Sequence, residues 1–92
     1  MIELENLVEI RNKYGLHARA STRLAQVAQK FKADIRIARE DNNQEADAKS
    51  ILGILTLGAE RGMRVRLRVK GDDATEAMNA ICQLIQANFH EE

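Results

Sequence analysis

The chain has 92 residues, which is enough for one domain with one modest hydrophobic core. Apolar residues make up 45% of the chain and charged residues 30%, a composition typical of folded rather than disordered proteins. Lys and Arg together number 14, as do Asp and Glu, so the net charge gives no sign of a nucleic acid or an anionic membrane as a partner.

The single cysteine, Cys82, excludes an intrachain disulfide and fits a reducing compartment. No apolar run reaches transmembrane length, and the first ten residues carry acids where a secretory signal needs basic residues. We therefore expect a cytoplasmic protein without membrane insertion. No grouping of ligand residues predicts a metal site, and nothing in the sequence calls for a cofactor.

The first two predicted elements are a strand and a helix. Apolar and polar residues alternate over 4–11, which indicates a strand with one solvated face. The segment Asn-Lys-Tyr-Gly at 12–15 predicts a loop. From Ala18 to Phe31 the period changes, and a stripe typical of an amphipathic helix is formed by Ala20, Leu24, Val27, Ala28 and Phe31.

A hairpin and a short helix are predicted next. Residues 33–39 alternate again, 40–44 are rich in turn formers, and 45–48 read as a short return strand. Ser50 is a good N-cap and Gly58 a suitable C-terminal stop for a helix between them. Ile54 and Leu57 of this helix can face the sheet, and its remaining large apolar residues are then left exposed.

The last two elements are a strand and a helix. Residues 63–70 alternate strictly, with Arg64, Arg66, Arg68 and Lys70 on one face. Asp73 followed by Glu76 predicts a capping box at the start of the last helix. The order β-α-β-β-α-β-α predicts a single α+β domain over 1–92, an open-faced sandwich with a four-stranded antiparallel sheet and three helices on one face.

His17 lies where the first loop becomes a helix. Amides of a first helical turn have no intrahelical partners, and they disfavour a cationic imidazolium while providing donors for an anion. Arg19 can add a charge-assisted hydrogen bond to a phosphate. A histidine taken alone is more often an ordinary surface residue, so the surrounding sequence must decide.

That sequence, NKYGLHARASTRLA, resembles the active-site segment of the histidine-containing phosphocarrier protein (HPr) family of the phosphoenolpyruvate-dependent phosphotransferase system. A second segment, AKSILGILTLGAERG at 48–62, resembles the regulatory-serine segment of the same family. The resemblance covers residues 3–89 and implies the HPr-like fold.

The resemblance implies that His17 accepts a phosphoryl group from enzyme I through Nδ1 and passes it to an enzyme IIA-type acceptor, with Arg19 on the phosphate side. The protein would then be a stoichiometric carrier rather than a self-sufficient enzyme, and we expect a monomer. Family members usually have proline at the fourth position of this motif, whereas Ala20 stands here. Alanine keeps an amide donor that proline lacks.

The resemblance also implies that Ser50 is the serine that an HPr kinase/phosphorylase modifies in many members. The plain alternative, an N-cap only, is compatible with that role. A docking surface for partner proteins is expected from two groups of residues. They are Leu16, Ala20 and Arg23 near the histidine, and Ile51, Leu52 and Leu55 on the short helix.

Two other functions are open to this sequence. One is a regulatory relative, either of the nitrogen-related branch of the system or a serine-phosphorylated effector. The other is a small nucleic-acid-binding module that uses the stripe Arg64–Lys70, but the chain has only three aromatic residues for base stacking, and we expect no nucleic-acid partner.

Overall fold

One layer of the molecule is an antiparallel sheet in the computed structural model, which describes residues 1–91. Within these residues the strands are β1 (Ile2–Glu9), β2 (Asp34–Arg39), β3 (Glu45–Asp47) and β4 (Arg64–Gly71), in the spatial order β1-β4-β2-β3. The helices are α1 (Ala18–Ala28), α2 (Ile51–Leu57) and α3 (Ala74–Gln86), and a short 3-10 turn, the last turn (Asn88–His90), follows α3. The predicted element order and α+β architecture are confirmed.

The core lies between the sheet and the helices. Val65, Leu67 and Val69 of the central strand β4 alternate toward the helices and are fully buried, as the period of two requires. The apolar stripe of α1, represented by Leu24, and that of α3, represented by Ile81, pack in the same cluster. Burying each large aliphatic side chain contributes about 1.5–3 kcal/mol, so this one interface stabilises the whole domain.

Helix α2 is defined at both ends by the residues that the sequence indicates. The Ser50 hydroxyl accepts from the Gly53 amide at 3.0 Å, and Gly58 ends the helix in the left-handed conformation with φ 64°. Ile54 and Leu57 are buried against the sheet layer, as predicted. The opposite side of the helix faces outward.

The predicted capping box at α3 is wrong. Asp73 makes no side-chain bond to its own helix, and its carboxylate oxygens accept instead from the Lys32 and Ala33 amides, each at 2.9 Å. These two donations, the Lys32 bond first, hold the pKa of Asp73 below its ordinary value of 3.8. Tertiary contact therefore outcompetes the local cap, and Asp73 fastens the start of α3 to the chain entering β2.

Helix α1 ends at Ala28, three residues before the predicted end. The amides of Lys30 and Phe31 bond to the carbonyls of Val27 and Ala28, an i→i−3 pattern that closes a turn rather than extending the helix. Phe31 still packs partly against the core, which explains why the apolar period runs past the helix.

The last turn is the one element that the sequence does not predict. Phe89 is fully buried, although it and its two neighbours have positive φ values. The Arg23 guanidinium of α1 donates to the Phe89 carbonyl. The turn is thus packed against α1, and it brings the following residue, Glu91, back toward the start of that helix. Among residues 1–91, no helix combines the length and apolar character needed to cross a bilayer.

Candidate functional site

His17 is the N-cap residue of α1. Its backbone is extended, its carbonyl accepts from the Ser21 amide at 2.8 Å, and its ring Nδ1 accepts from the Arg19 amide at 3.1 Å. The imidazole therefore occupies the place that a serine or aspartate oxygen usually takes at a helix start. Its side chain is 29% exposed, so the ring is held in place but still reachable from solvent.

The other ring nitrogen, Nε2, is hydrogen-bonded to the carboxylate of Glu91. Nε2 lies 2.5 Å from Oε2 of Glu91, and the second oxygen of that carboxylate accepts from the Asn12 amide group at 3.1 Å. An ionised carboxylate only accepts hydrogen bonds, so the contact places a hydrogen on Nε2. In the neutral ring, Nδ1 is then left with its lone pair, which is the form a nucleophile needs.

The loop that carries His17 is wedged against the segment after α2. Gly15 has φ 65°, and a Cβ there would lie 2.6 Å from the Ala59 carbonyl oxygen, so only glycine fits. The Leu16 amide donates to the same carbonyl at 2.9 Å, and the Ser21 hydroxyl donates to the Leu16 carbonyl at 3.1 Å. These contacts fix where the histidine stands relative to α1 and α2.

Donors for an anion surround the ring. Arg19 is exposed, and its guanidinium makes no ion pair or hydrogen bond with any residue in 1–91. The amides of Ala18 and Ala20, in the first turn of α1, likewise have no acceptor within that range. Tyr14 meets the imidazole edge-on with ring centroids 5.9 Å apart and closes one side. The arrangement can bind a phosphoryl group on Nδ1.

Three of the predicted docking residues have buried or half-buried side chains. Leu16 and Ala20 are 4% and 0% exposed, so their side chains offer almost no surface to a partner, and their docking role stays a prediction. The apolar stripe that makes α1 amphipathic draws Ala20 into the core, and the bond to Ala59 draws Leu16 inward. Arg23 is half-buried and bonded to the Phe89 carbonyl, so it fastens the last turn rather than forming a free basic surface.

The predicted exposure of the apolar side of α2 is confirmed. Ile51, Leu52 and Leu55 are 39%, 74% and 37% exposed, and they form what we call the apolar patch. Exposed large apolar residues grouped on one helix face often mark an interaction surface.

Ser50 and His17 lie at opposite ends of α1. The Gln29 side chain, just past the end of α1, donates to the Lys49 carbonyl at 2.9 Å, whereas the segment after α2 bonds to Leu16 at the start of α1. The 11 residues of α1 span about 16 Å at 1.5 Å per residue. A charge on Ser50 would therefore act on the apolar patch and not directly on the imidazole.

Glu91 and Asn12 are the parts of the site that sequence reasoning missed. Asn12 is 2% exposed and its amide group bonds to both Gly15 and Glu91, yet in the sequence it is one polar residue of a loop. Glu91 is 74 positions from His17, and no periodicity or spacing pairs them. Within residues 1–91 no group of three His, Cys, Asp or Glu side chains could hold a metal ion.

The fold and the site define a small α+β protein that holds one histidine at a helix N-terminus. The family model described as "PTS HPr component phosphorylation site" matches residues 4–87. The chain belongs to this family of phosphotransferase-system phosphocarriers, and a phosphocarrier role follows from that membership.

Relatives and solved structures agree over nearly the whole chain. This protein is 46% identical over 91 residues to phosphocarrier protein NPr of Shewanella violacea, and the alignment covers 99% of this chain and 98% of that one. It is also 43% identical over 88 residues to phosphocarrier protein HPr of Cupriavidus necator, and this alignment covers 96% of this chain and 97% of that one. A crystal structure of HPr from Thermoanaerobacter tengcongensis superposes with a TM-score of 0.90 at 44% identity, covering 97% of this chain and 98% of that one.

Proposed function

We propose that His17 is the phosphoryl acceptor of this phosphocarrier, and that it takes the group from phospho-enzyme I and passes it to an enzyme IIA-type acceptor. The observation that carries the proposal is the pairing of Nε2 with Glu91, which leaves the lone pair on Nδ1, in a pocket that the exposed Arg19 also lines. We also propose that the carrier acts as a monomer in the cytoplasm.

The transfer is a displacement at phosphorus. The Nδ1 lone pair forms the new bond, and the bond from phosphorus to the donor breaks with its electron pair leaving on the donor. The Arg19 amide, which now donates to Nδ1, becomes a donor to a phosphate oxygen, together with the free amides of Ala18 and Ala20. The Arg19 side chain offsets the transferred charge.

The test is phosphorylation by enzyme I and labelled phosphoenolpyruvate. We expect an acid-labile label on the protein that His17→Ala abolishes. His90→Ala is the matched control, because His90 is the other histidine of the chain. It is exposed and lines the same surface pocket as His17. Absence of label on the wild-type protein with a competent enzyme I, or its loss in His90→Ala alone, would overturn the assignment.

A second candidate function is the nitrogen-related branch of the system, and the 46% identity to an NPr favours it as much as the 43% identity to an HPr favours sugar transport. The two are separated by comparing kcat/KM for phosphorylation by the sugar-branch enzyme I and by its nitrogen-branch counterpart. A preference of tenfold or more for one donor assigns the branch, about 1.4 kcal/mol in transition-state binding.

We also propose that Ser50 is a site of regulatory phosphorylation by an HPr kinase/phosphorylase, acting through the apolar patch. A phosphate adds about two negative charges at neutral pH, and a helix N-terminus accepts them without unfolding. The charges would lie directly before Ile51 and Leu52, where an apolar partner surface would have to desolvate them.

The variant Ser50→Asp adds a negative charge and keeps the N-cap of α2, because aspartate is also a good N-cap residue. We expect its melting temperature to stay close to wild type while KM for the partner proteins rises about tenfold. Thr75→Asp places the same charge in the first turn of α3, away from the patch, and should leave KM unchanged. An acid-stable label from kinase and ATP that Ser50→Ala does not remove would contradict the site, and an unchanged KM in Ser50→Asp would contradict the mechanism.

A further inference from the structure

The carboxylate of Glu91 approaches the site from outside the range that the family model matches. The family match ends at residue 87, yet Glu91 lies 2.5 Å from Nε2 of His17. Its side chain is only 11% exposed, and both carboxylate oxygens have partners, one on His17 and one on Asn12. A carboxylate removed from water and paired in this way forms a strong charge-assisted hydrogen bond.

Glu91 is held in this position by packing. Phe89 is fully buried, and its carbonyl accepts from Arg23 of α1. The Glu91 amide donates to the Asn88 carbonyl at 3.0 Å, which closes the turn before it. Because the backbone on both sides of the turn is fixed, the carboxylate is directed at the imidazole rather than free in solvent.

We propose that Glu91 is a positioning residue that keeps the proton on Nε2 of His17 during phosphoryl transfer and so speeds the departure of the phosphoryl group. This inference rests on the proposed function of His17. Once Nδ1 carries phosphorus, the ring is cationic if Nε2 keeps its proton and neutral if it loses it. The carboxylate stabilises the cationic form by direct hydrogen bonding.

The proton matters because it determines the leaving group. When the bond between phosphorus and Nδ1 breaks, its electron pair remains on Nδ1. A ring that carries the Nε2 proton leaves as neutral imidazole, whereas a ring without it leaves as the far more basic imidazolate. The acceptor forms the new bond to phosphorus, and the Nε2 proton does not move. In hydrolysis the acceptor is water, and the proton of that water goes to solvent.

The other charged groups near the ring do not provide this effect. The pocket around His17 is also lined by Lys13, Arg19 and His90, which are all basic residues. Within the described part of the chain, Glu91 is the one carboxylate in that lining. Arg19 and Lys13 favour the phosphate, and Glu91 favours the protonated ring, so the two ends of the imidazole experience opposite charge.

The experiment measures hydrolysis of the phosphorylated protein as a function of pH. Phosphoramidate, a chemical phosphoryl donor, loads the histidine without any partner enzyme, and 31P NMR follows the signal that is absent in His17→Ala. We expect Glu91→Gln to slow hydrolysis about tenfold at pH 8, which corresponds to one logarithmic unit of lost stabilisation of the protonated ring. At pH 5 the two rates should converge, because both rings are then protonated by solvent.

Two further variants act as controls. Glu76→Gln removes the same charge from the exposed side of α3 and should give the wild-type profile. Glu91→Asp keeps the carboxylate on a shorter arm and should recover part of the rate at pH 8. In the unphosphorylated protein, the Nε2 proton should resonate downfield in the wild type and move upfield in Glu91→Gln.

Each outcome separates this inference from the proposed function. Superimposable pH profiles for wild type and Glu91→Gln, or an equal change in Glu76→Gln, would overturn the role of Glu91. A uniform change at all pH values would also overturn it, because a purely structural effect does not vanish when solvent protonates the ring. Failure of enzyme I to label the wild-type protein would instead overturn the relay and leave these measurements intact.

Discussion

At the scale of single residues, one nitrogen of His17 has two tasks. Nδ1 caps α1 by accepting from the Arg19 amide, and the same lone pair is the proposed nucleophile. Under the proposed function, phosphorylation would remove this cap, and the phosphate oxygens would accept from the same first-turn amides. The helix start would then be stabilised in both states, so a reversible transfer would not require the helix to open.

The Arg19 side chain gives the first prediction. Its guanidinium has no partner among residues 1–91, so Arg19→Ala should leave the melting temperature within about 1 °C of wild type. We expect kcat/KM for phosphorylation by enzyme I to fall about 10- to 100-fold, because a charge-assisted contact to the transferred phosphate is lost.

The control for this prediction is Lys30→Ala, which removes an exposed cation just beyond the far end of α1. Equal loss of kcat/KM in both variants would show that overall positive charge, and not the position of Arg19, is responsible.

At the scale of elements, the site depends on close contact between the His17 loop and the segment after α2. Gly15→Ala would introduce a methyl group 2.6 Å from the Ala59 carbonyl oxygen at a positive φ. We expect a loss of about 2–4 kcal/mol in the free energy of unfolding, measured by urea denaturation.

Gly62→Ala is the matched control, because φ is 92° there and a Cβ meets nothing within 4 Å. Its cost should be about 1 kcal/mol from the backbone conformation alone. Equal losses in the two variants would mean that the contact with Ala59 does not restrict position 15.

The Asp73 carboxylate gives a prediction on pH and stability. Its pKa is lowered in the folded state by the Lys32 and Ala33 amides, so its contribution is present above the unfolded value near 3.8 and is lost as the pH falls through the lower folded value. Asp73→Asn should be less stable than wild type at pH 7, and urea denaturation should show the difference closing as the pH falls below 3.8.

Asp72→Asn is the control for that titration, because Asp72 is exposed and makes no hydrogen bond within residues 1–91. A difference between wild type and Asp73→Asn that stays constant from pH 7 to pH 2 would contradict the pairing of this carboxylate with the two amides.

At the scale of the whole molecule, acidic side chains accompany the arginines on the outer face of the sheet. Three of the four basic residues on the outer face of β4 are paired with carboxylates: Arg64 with Glu40 at 2.8 Å, Arg66 with Glu5 at 3.3 Å and Arg68 with Glu45 at 3.0 Å. These arginines therefore meet carboxylates rather than forming an unpaired basic surface, which argues against a nucleic-acid-binding module.

We accordingly expect no salt-dependent binding to labelled duplex DNA or RNA at 50 mM salt by fluorescence anisotropy, up to about 100 μM protein. The variant Arg66→Ala should give the same flat titration. Binding in the low micromolar range that Arg66→Ala weakens would favour the nucleic-acid function instead.

The sequence by itself determined the order of strands and helices, the side of each that is buried, and both ends of α2. These features follow from local periodicity and from residues such as Ser50 and Gly58, whose preferences act within one helical turn. It also indicated His17 and Arg19, through the resemblance of the continuous segment that holds them to the active-site segment of the family.

Only the tertiary structure decided what the remaining groups do. Asp73 leaves its own helix for two amides 40 and 41 positions away, Arg23 bonds to Phe89, and Glu91 reaches His17 across 74 positions. Such contacts are selected by packing that brings distant segments together, and no periodic pattern records them. The sequence thus indicated the proposed nucleophile, whereas the fold placed a carboxylate against Nε2 and left Nδ1 to the helix start.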